Sequence, residues 1–263
     1  MWEIYDELIE AVPVHSRIRR AMAGLHWTAV QAESLGMAMT PQGADPQVPQ
    51  AGQIAGMATR DVARWVKSWN WYEAAFGVAA INAALNSPAA VAGICSRTPA
   101  GDSDGDGDVF NCLLDDMRGK RVAVVGHFRN LERVAAVSEL SILERRPHPG
   151  DFPDPACEYI LAHQDIVVIT ATTLINKTLP RLLEISRRAR VVLAGPSTPL
   201  APLLFNHGIE ILGGLIVRDE KQIWRGIQEG GRQSVFEHGS LRVTITREAA
   251  LAKPPWAPSQ PVL

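Results

Sequence analysis

Apolar positions recur at helical spacing in the first part of the chain and in short β-branched runs in the second. Ile4, Leu8, Ile9 and Val12 share one face of a helix over Glu3–Val12, which Pro13 ends. Val14–Leu25 and Trp27–Met39 read as two extended segments, with Gly24–Trp27 as the bend between them. Ser34–Gly56 is rich in Gly, Pro and Gln and predicts a loop. Thr59 is placed to cap a helix over Arg60–Ser68, with Asp61 in the first turn where a negative charge suits the dipole. A second helix over Trp71–Asn86 is apolar nearly all round and crowded with Ala and Gly, so it must be buried against close neighbours. This order predicts a small α+β unit.

From Lys120 onward strands and helices alternate. The predicted strands are Arg121–Val125, Leu140–Leu143, Asp165–Ile169, Arg190–Leu193 and Ile209–Leu212, with Leu241–Ile245 as a last addition. Helices are expected near Leu131–Ser138, Leu179–Arg188, Pro199–Asn206 and Lys221–Glu229. Runs such as Ile166–Ile169, apolar on both faces, belong in a parallel sheet. The expected fold is therefore α/β, a small α+β domain followed by a Rossmann-like doubly wound domain whose ligands would lie at the carboxyl edge of its strands. The expected divisions are 1–98 for the first domain, 99–118 for an acidic linker, 119–250 for the second domain and 251–263 for a proline-rich tail.

Composition narrows the function. A chain of 263 residues with 46% hydrophobic and 21% charged positions can build a sizeable core. A net charge of -2 gives no electrostatic case for nucleic acid or an acidic membrane. The start, MWEIYDELIE, lacks the basic-then-apolar pattern of a signal peptide, and the apolar run Phe76–Leu85 is about half of a membrane span. Cys95, Cys112 and Cys157 are odd in number and widely spaced, which suits reduced thiols in the cytoplasm. The expected partner is a small molecule or metal chelate, and homo-oligomerisation stays open.

Candidate chemistry concentrates where strands end. Thr170, Thr172, Thr173, Asn176 and Lys177 put hydroxyl, amide and ammonium donors just ahead of a helix, a combination suited to phosphate or carboxylate. These are more polar groups than a helix cap requires. Val125-Gly126-His127-Phe128 has only one of the glycines that a dinucleotide fingerprint needs, which argues against NAD, FAD or an adenosyl cofactor, although a methyltransferase-like enzyme is one alternative. His127 at that edge could ligate a metal, shuttle a proton or simply pack. In Gly195-Pro196-Ser197-Thr198-Pro199, Ser197 or Thr198 is placed to cap a helix that begins at Pro199, and Ser197 could also wall the same cleft. Gly213-Gly214 allows close backbone approach or a bulge. Glu73 is a carboxylate in apolar company at the start of the buried helix that Asn70 precedes, while Asn82, 180° around that helix, suits a core hydrogen bond. Asp102, Asp104, Asp106 and Gly107 open like a calcium loop, but Leu113 stands where its bidentate Glu should be.

GLHWTAV (Gly24–Val30), KSWNWYEAAFGVAAINAALN (Lys67–Asn86), VAVVGHF (Val122–Phe128), DIVVITATTLINKTLP (Asp165–Pro180) and AGPSTPLAPLLFNHGIEILGG (Ala194–Gly214) carry a resemblance to a two-domain family described as "putative heavy-metal chelation". The resemblance runs from Met1 to about Asp219. It implies a domain like the N-terminal domain of enolase packed on a Rossmann-like domain, with a site between them. It also implies metal-chelator chemistry, a condensation or hydrolysis in making pterin-like or siderophore-like compounds; the alternative reading is a protein that binds a metal or metal chelate without chemistry. The positions carried over are Glu73, His127 and Lys177 as catalytic candidates and Thr172, Thr173, Asn176 and Ser197 as ligand contacts. Asn70 and Gly126 join them as ligand contacts by position, and His127 is the metal-ligand candidate, for a transition metal, with Glu73 as its fellow ligand if the protein only binds the metal. The Asp102–Asp108 insertion and the proline tail depart from the family pattern.

Overall fold

The computed structural model describes residues 2–43, 47–92, 94 and 108–252. The calcium-like stretch Asp102–Gly107, Cys95 and the tail from Lys253 lie outside the described residues.

The chain opens with a helix, Glu3–Glu10, that buries Ile4, Tyr5, Leu8 and Ile9. Three antiparallel strands follow: β1 (Arg20–Ala23), β2 (Trp27–Gln31) and β3 (Leu35–Met39). Two extended segments were expected; the second of them is folded in half at Ala32–Ser34. The Ser34 amide donates to the Ala83 carbonyl at 3.1 Å, so a buried helix, rather than a glycine or proline, stabilises this turn. The predicted helix after Thr59 is α-helical over Thr59–Ala63 and tightens to 3₁₀ over Arg64–Lys67.

The helix Trp71–Leu85 runs through the core with Ala74–Ala83 buried. Its alanines and its one glycine, Gly77, admit neighbouring backbone. A Cβ built on Gly36 of β3 would lie 2.0 Å from the Ala83 amide nitrogen, and one on Gly77 would lie 2.1 Å from that of Val66. Asn82 donates to the Met37 carbonyl at 2.8 Å, the core role expected of it.

The second sheet has the order β10-β9-β8-β7-β4-β5-β6. Its strands are β4 (Arg121–Val125), β5 (Glu139–Glu144), β6 (Phe152–Pro153), β7 (Ile166–Thr170), β8 (Arg190–Ala194), β9 (Ile209–Val217) and β10 (Ser240–Thr246). All neighbours are parallel except β9 and β10. The α/β expectation holds, and every predicted strand of this sheet is present. β6, two residues long with a proline, gave no periodic signal. β9 runs five residues further than expected, straight through Gly213-Gly214. The register shift opposite β8 falls at Val191/Val192 instead. Close approach is what the two glycines provide: a Cβ on Gly213 would meet Val109 at 2.9 Å and one on Gly214 would meet Leu200 at 2.9 Å.

Two expectations need correction. Within the supposed linker 99–118, Val109–Met117 forms a helix: Asp108 caps it by accepting the Phe110 amide at 3.0 Å, and Val109, Phe110, Leu113 and Met117 pack on the sheet. Helix Pro199–Asn206 is absent as such. A 3₁₀ segment begins three residues later, over Pro202–His207, so Pro199 does not start a helix.

One hydrophobic core contains residues of both sheets. Polar bonds also tie the two parts together. Buried Asn86 donates to the Thr198 carbonyl at 2.9 Å and accepts the Leu200 amide at 2.8 Å. Among the described residues no helix is long and apolar enough to cross a membrane.

Candidate functional site

The chain leaves β4 toward β5 on one side and later fills β7 on the other, so the strand order reverses between β4 and β7. Crevices at such reversals are where open α/β sheets bind ligands. Val125 and Ile169, paired across these strands, bring the Gly126-His127 turn beside the Thr170–Lys177 turn. Gly126 has φ 101°, and its Cα faces Thr170 so closely that a Cβ would fall 2.8 Å from the threonine methyl. Only glycine fits there, for packing as much as for conformation.

In the turn after β7 the polar residues divide by role. Thr173 donates to the Thr170 carbonyl at 2.6 Å, and Asn176 accepts both the Thr178 amide at 3.1 Å and its hydroxyl at 2.6 Å. Both are occupied in shaping the turn. The Thr172 and Thr170 hydroxyls lie 3.1 Å apart, half-buried at the sheet edge. Lys177 is different: it adopts the left-handed conformation, φ 65°, and is only 7% exposed. Its ammonium donates to the Ile175 carbonyl at 2.7 Å and to the carbonyl of Ser68, in the first part of the chain. Burial pulls its pKa down to about 8, against the nearby Glu73 carboxylate, which favours the charged form.

Ser68 completes the link, since its hydroxyl donates to Glu73. Two catalytic candidates, 104 positions apart (177 − 73), are thereby joined through one serine. Asn70 stands between Ser68 and Glu73 in sequence as a helix cap, accepting the Tyr72 amide at 2.9 Å and the Glu73 amide at 3.4 Å. Its side-chain amide donates to the Gln47 carbonyl at 2.7 Å. Ser197 is buried and accepts the Met39 amide at 2.9 Å, a bond between the end of β3 and the loop after β8.

His127 meets partners that sequence reasoning missed. Its amide donates to Glu144 at 2.9 Å, its Nδ1 lies 3.1 Å from Asp151 Oδ2, and its ring centroid is 4.5 Å from that of His148. One donor atom from each of His127, His148 and Asp151 falls within 4.8 Å of the others. The Arg145 and Arg146 amides both donate to Glu144 Oε1, at 2.8 and 3.2 Å, so this carboxylate holds the two loops together. A ribose-binding acid at the end of the second strand would need those oxygens free, which reinforces the case against a dinucleotide. His148 and Asp151 lie in R-R-P-H-P-G-D, without metal-motif spacing to His127. The available signal was positional: both loops follow strands at the carboxyl edge. Cys157 is buried, and desolvation pushes its thiol up to about 12, so it is an inert thiol.

Arg145 joins this loop to the other group. Its guanidinium lies 5.1 Å from the ring of Trp71, in the same helical turn as Glu73, and Arg146 donates to the Gln42 carbonyl at 3.2 Å. Two surface hollows, of about 420 and 340 Å³, lie elsewhere, around Arg60 and Lys67 and around Pro180 and His207. Neither is lined by a predicted site residue.

Residues 108–246 match the DUF364 family model and residues 5–85 the DUF4213 model, both described as "Putative heavy-metal chelation". The chain is similar to the crystal structure of a DUF364-family protein of unknown function from Desulfitobacterium hafniense DCB-2. They share 37% identity over 93% of this chain and 97% of that one, with a TM-score of 0.83. A second DUF364-family structure of unknown function, from Pyrococcus horikoshii, shares the fold at 21% identity over 92% and 98% of the chains, TM-score 0.76. No curated protein matches.

Proposed function

The chain belongs to the DUF364 family, described as "Putative heavy-metal chelation", and on that premise we propose that it handles a small anionic, metal-chelating molecule. The proposed place is beside the first turn of helix Trp71–Leu85, against the carboxyl edge of β4 and β7. The observation that carries this reading is the joining of Lys177 and Glu73 through Ser68. A buried lysine in a backbone conformation that costs a non-glycine residue about 1 kcal/mol or more is a poor investment for structure alone. Its charge offers attraction to a carboxylate or phosphate, and the half-buried Thr170 and Thr172 hydroxyls offer further donors at the same edge. Glu73, bonded to Ser68, is the group that would move a proton on the bound molecule in a condensation or hydrolysis.

The test is calorimetric titration of the purified full chain with a panel of small polycarboxylate and catecholate chelators, each alone and as its zinc complex. At least one should bind, and Lys177→Met should abolish that binding. Glu73→Gln should bind the same molecule and fold normally yet show no turnover of it. A panel member that binds Lys177→Met as tightly as wild type would remove the basis of the reading. Binding with turnover intact in Glu73→Gln would remove the proton-transfer role alone.

A further inference from the structure

The His127 cluster has no packing reason to exist. Both histidines are exposed, so no hydrophobic gain pulls the two rings to 4.5 Å from one another. Asp151 is the exception: only 5% of its side chain is accessible, and it faces both histidines. It accepts the His148 amide at 2.9 Å on the oxygen that also lies 3.1 Å from His127 Nδ1. Backbone restraints hold all three. Glu144 fixes the His127 amide, and a turn in which the Asp151 amide donates to the His148 carbonyl at 3.0 Å fixes the other two.

The charges nearby are arranged to spare the cluster. Arg145 and Arg146 flank the loop, but their guanidinium groups turn away, one over Trp71 and toward Asp154 at 3.7 Å and the other to the Gln42 carbonyl. The cluster itself brings together two imidazoles and the Asp151 carboxylate, and the neighbouring Glu144 is engaged by three backbone amides.

We propose that His127, His148 and Asp151 are the protein ligands of one transition-metal ion. Two nitrogens and one oxygen suit a divalent ion of the zinc, nickel, cobalt or copper class better than calcium or magnesium, which prefer all-oxygen shells. Ligands of a tetrahedral zinc ion lie about 3.4 Å apart, so the 4.8 Å spread needs to close by about 1.4 Å, within reach of an exposed His148 ring. Three protein ligands leave a position open, and exposure leaves that position toward solvent. An external chelator can therefore share the ion. The inference deepens the proposed function by placing the chelated metal on the protein, and it rests on that reading only for the identity of the outer ligand.

The experiment uses metal alone, so that it stands or falls apart from the chelator titrations. The full chain is stripped with EDTA, dialysed, and titrated with Zn(II) against a chromogenic competitor; Co(II) is then added to a second sample and its visible spectrum recorded. The expected result is one ion per chain, with a Co(II) spectrum of low coordination number. His148→Ala and His127→Ala should each weaken zinc by more than about 100-fold, beyond what loss of an outer partner costs. His148 is exposed, so its variant should fold as wild type, which circular dichroism checks. Absence of saturable zinc binding, or zinc binding that both variants leave unchanged, overturns the proposal even if a chelator binds at Lys177.

Discussion

The Lys177 ammonium donates to the backbone carbonyl of Ser68, 109 positions earlier in the chain. One end of this bond is in the turn after β7, at the middle of the large sheet, and the other is in the approach to helix Trp71–Leu85. Ser68 passes the contact on to Glu73. A fixed cation and a fixed carboxylate are in this way set on either side of one backbone junction.

Stability should report the buried charge. Burial lowers the Lys177 pKa from 10.5 to about 8. Between those values the unfolded chain keeps a proton that the folded chain has lost, so stability rises with pH across the window and is flat below it. Relative to Lys177→Met, the wild type should gain about 3 kcal/mol from the bottom to the top of the window. Tyr5, whose buried hydroxyl is pushed up, adds an opposite slope near the top, common to both proteins, which cancels in the difference. Urea denaturation of the pair at about pH 7 and about pH 10 measures it. Parallel pH curves would show that the charge is not buried.

Asn70 is a cap in this fold. Asn70→Ala should cost about 1 kcal/mol in denaturant stability, with Asn70→Asp close to neutral. Unchanged stability in Asn70→Ala, with a loss of chelator binding, would instead return Asn70 to the ligand-contact role expected from the sequence.

The close approach of β3 to the buried helix is a separate test of the packing. Gly36→Ala places a methyl 2.0 Å from one backbone nitrogen and 2.2 Å from a carbonyl oxygen, neither of which can swing aside as a side chain would. A loss of about 3 kcal/mol or more is expected, read as a lower denaturation midpoint. A variant as stable as wild type would mean that strand and helix lie further apart.

Asn86, at the end of the buried helix, ties that helix to the loop after β8 in the core. Removing its amide leaves the Leu200 amide and the Thr198 carbonyl buried without it. Asn86→Ala should cost about 2 to 4 kcal/mol, and Asn86→Asp, which loses the donor, should also destabilise. Equal stability of Asn86→Ala would show that water replaces both bonds.

Much of this fold is legible in the sequence because its signals are local. Each β-branched run of the parallel sheet is bounded by turn residues, and the Ala/Gly density of Trp71–Leu85 announces close packing. What escaped is tertiary in origin. The β2–β3 turn is held by Ala83, and helix Val109–Met117 follows directly on an Asp/Gly-rich stretch that masks its start. The site divides the same way. The excess of polar groups around Lys177 could be read from one turn, whereas His148 and Asp151 meet His127 only because two loops end side by side. Ser197 and Asn70 were sensible ligand candidates by position, and the fold gives both a hydrogen-bonding role of its own.

The most direct measurement is native against denaturing mass spectrometry on anaerobically purified protein, prepared without added chelators, with elemental analysis of the same sample. A small organic mass that leaves on denaturation, accompanied by a transition metal and missing from Lys177→Met, is the result expected of a protein that handles a chelating molecule at this edge. A bare polypeptide mass with no metal, unchanged after incubation with zinc and the chelator panel, would contradict it.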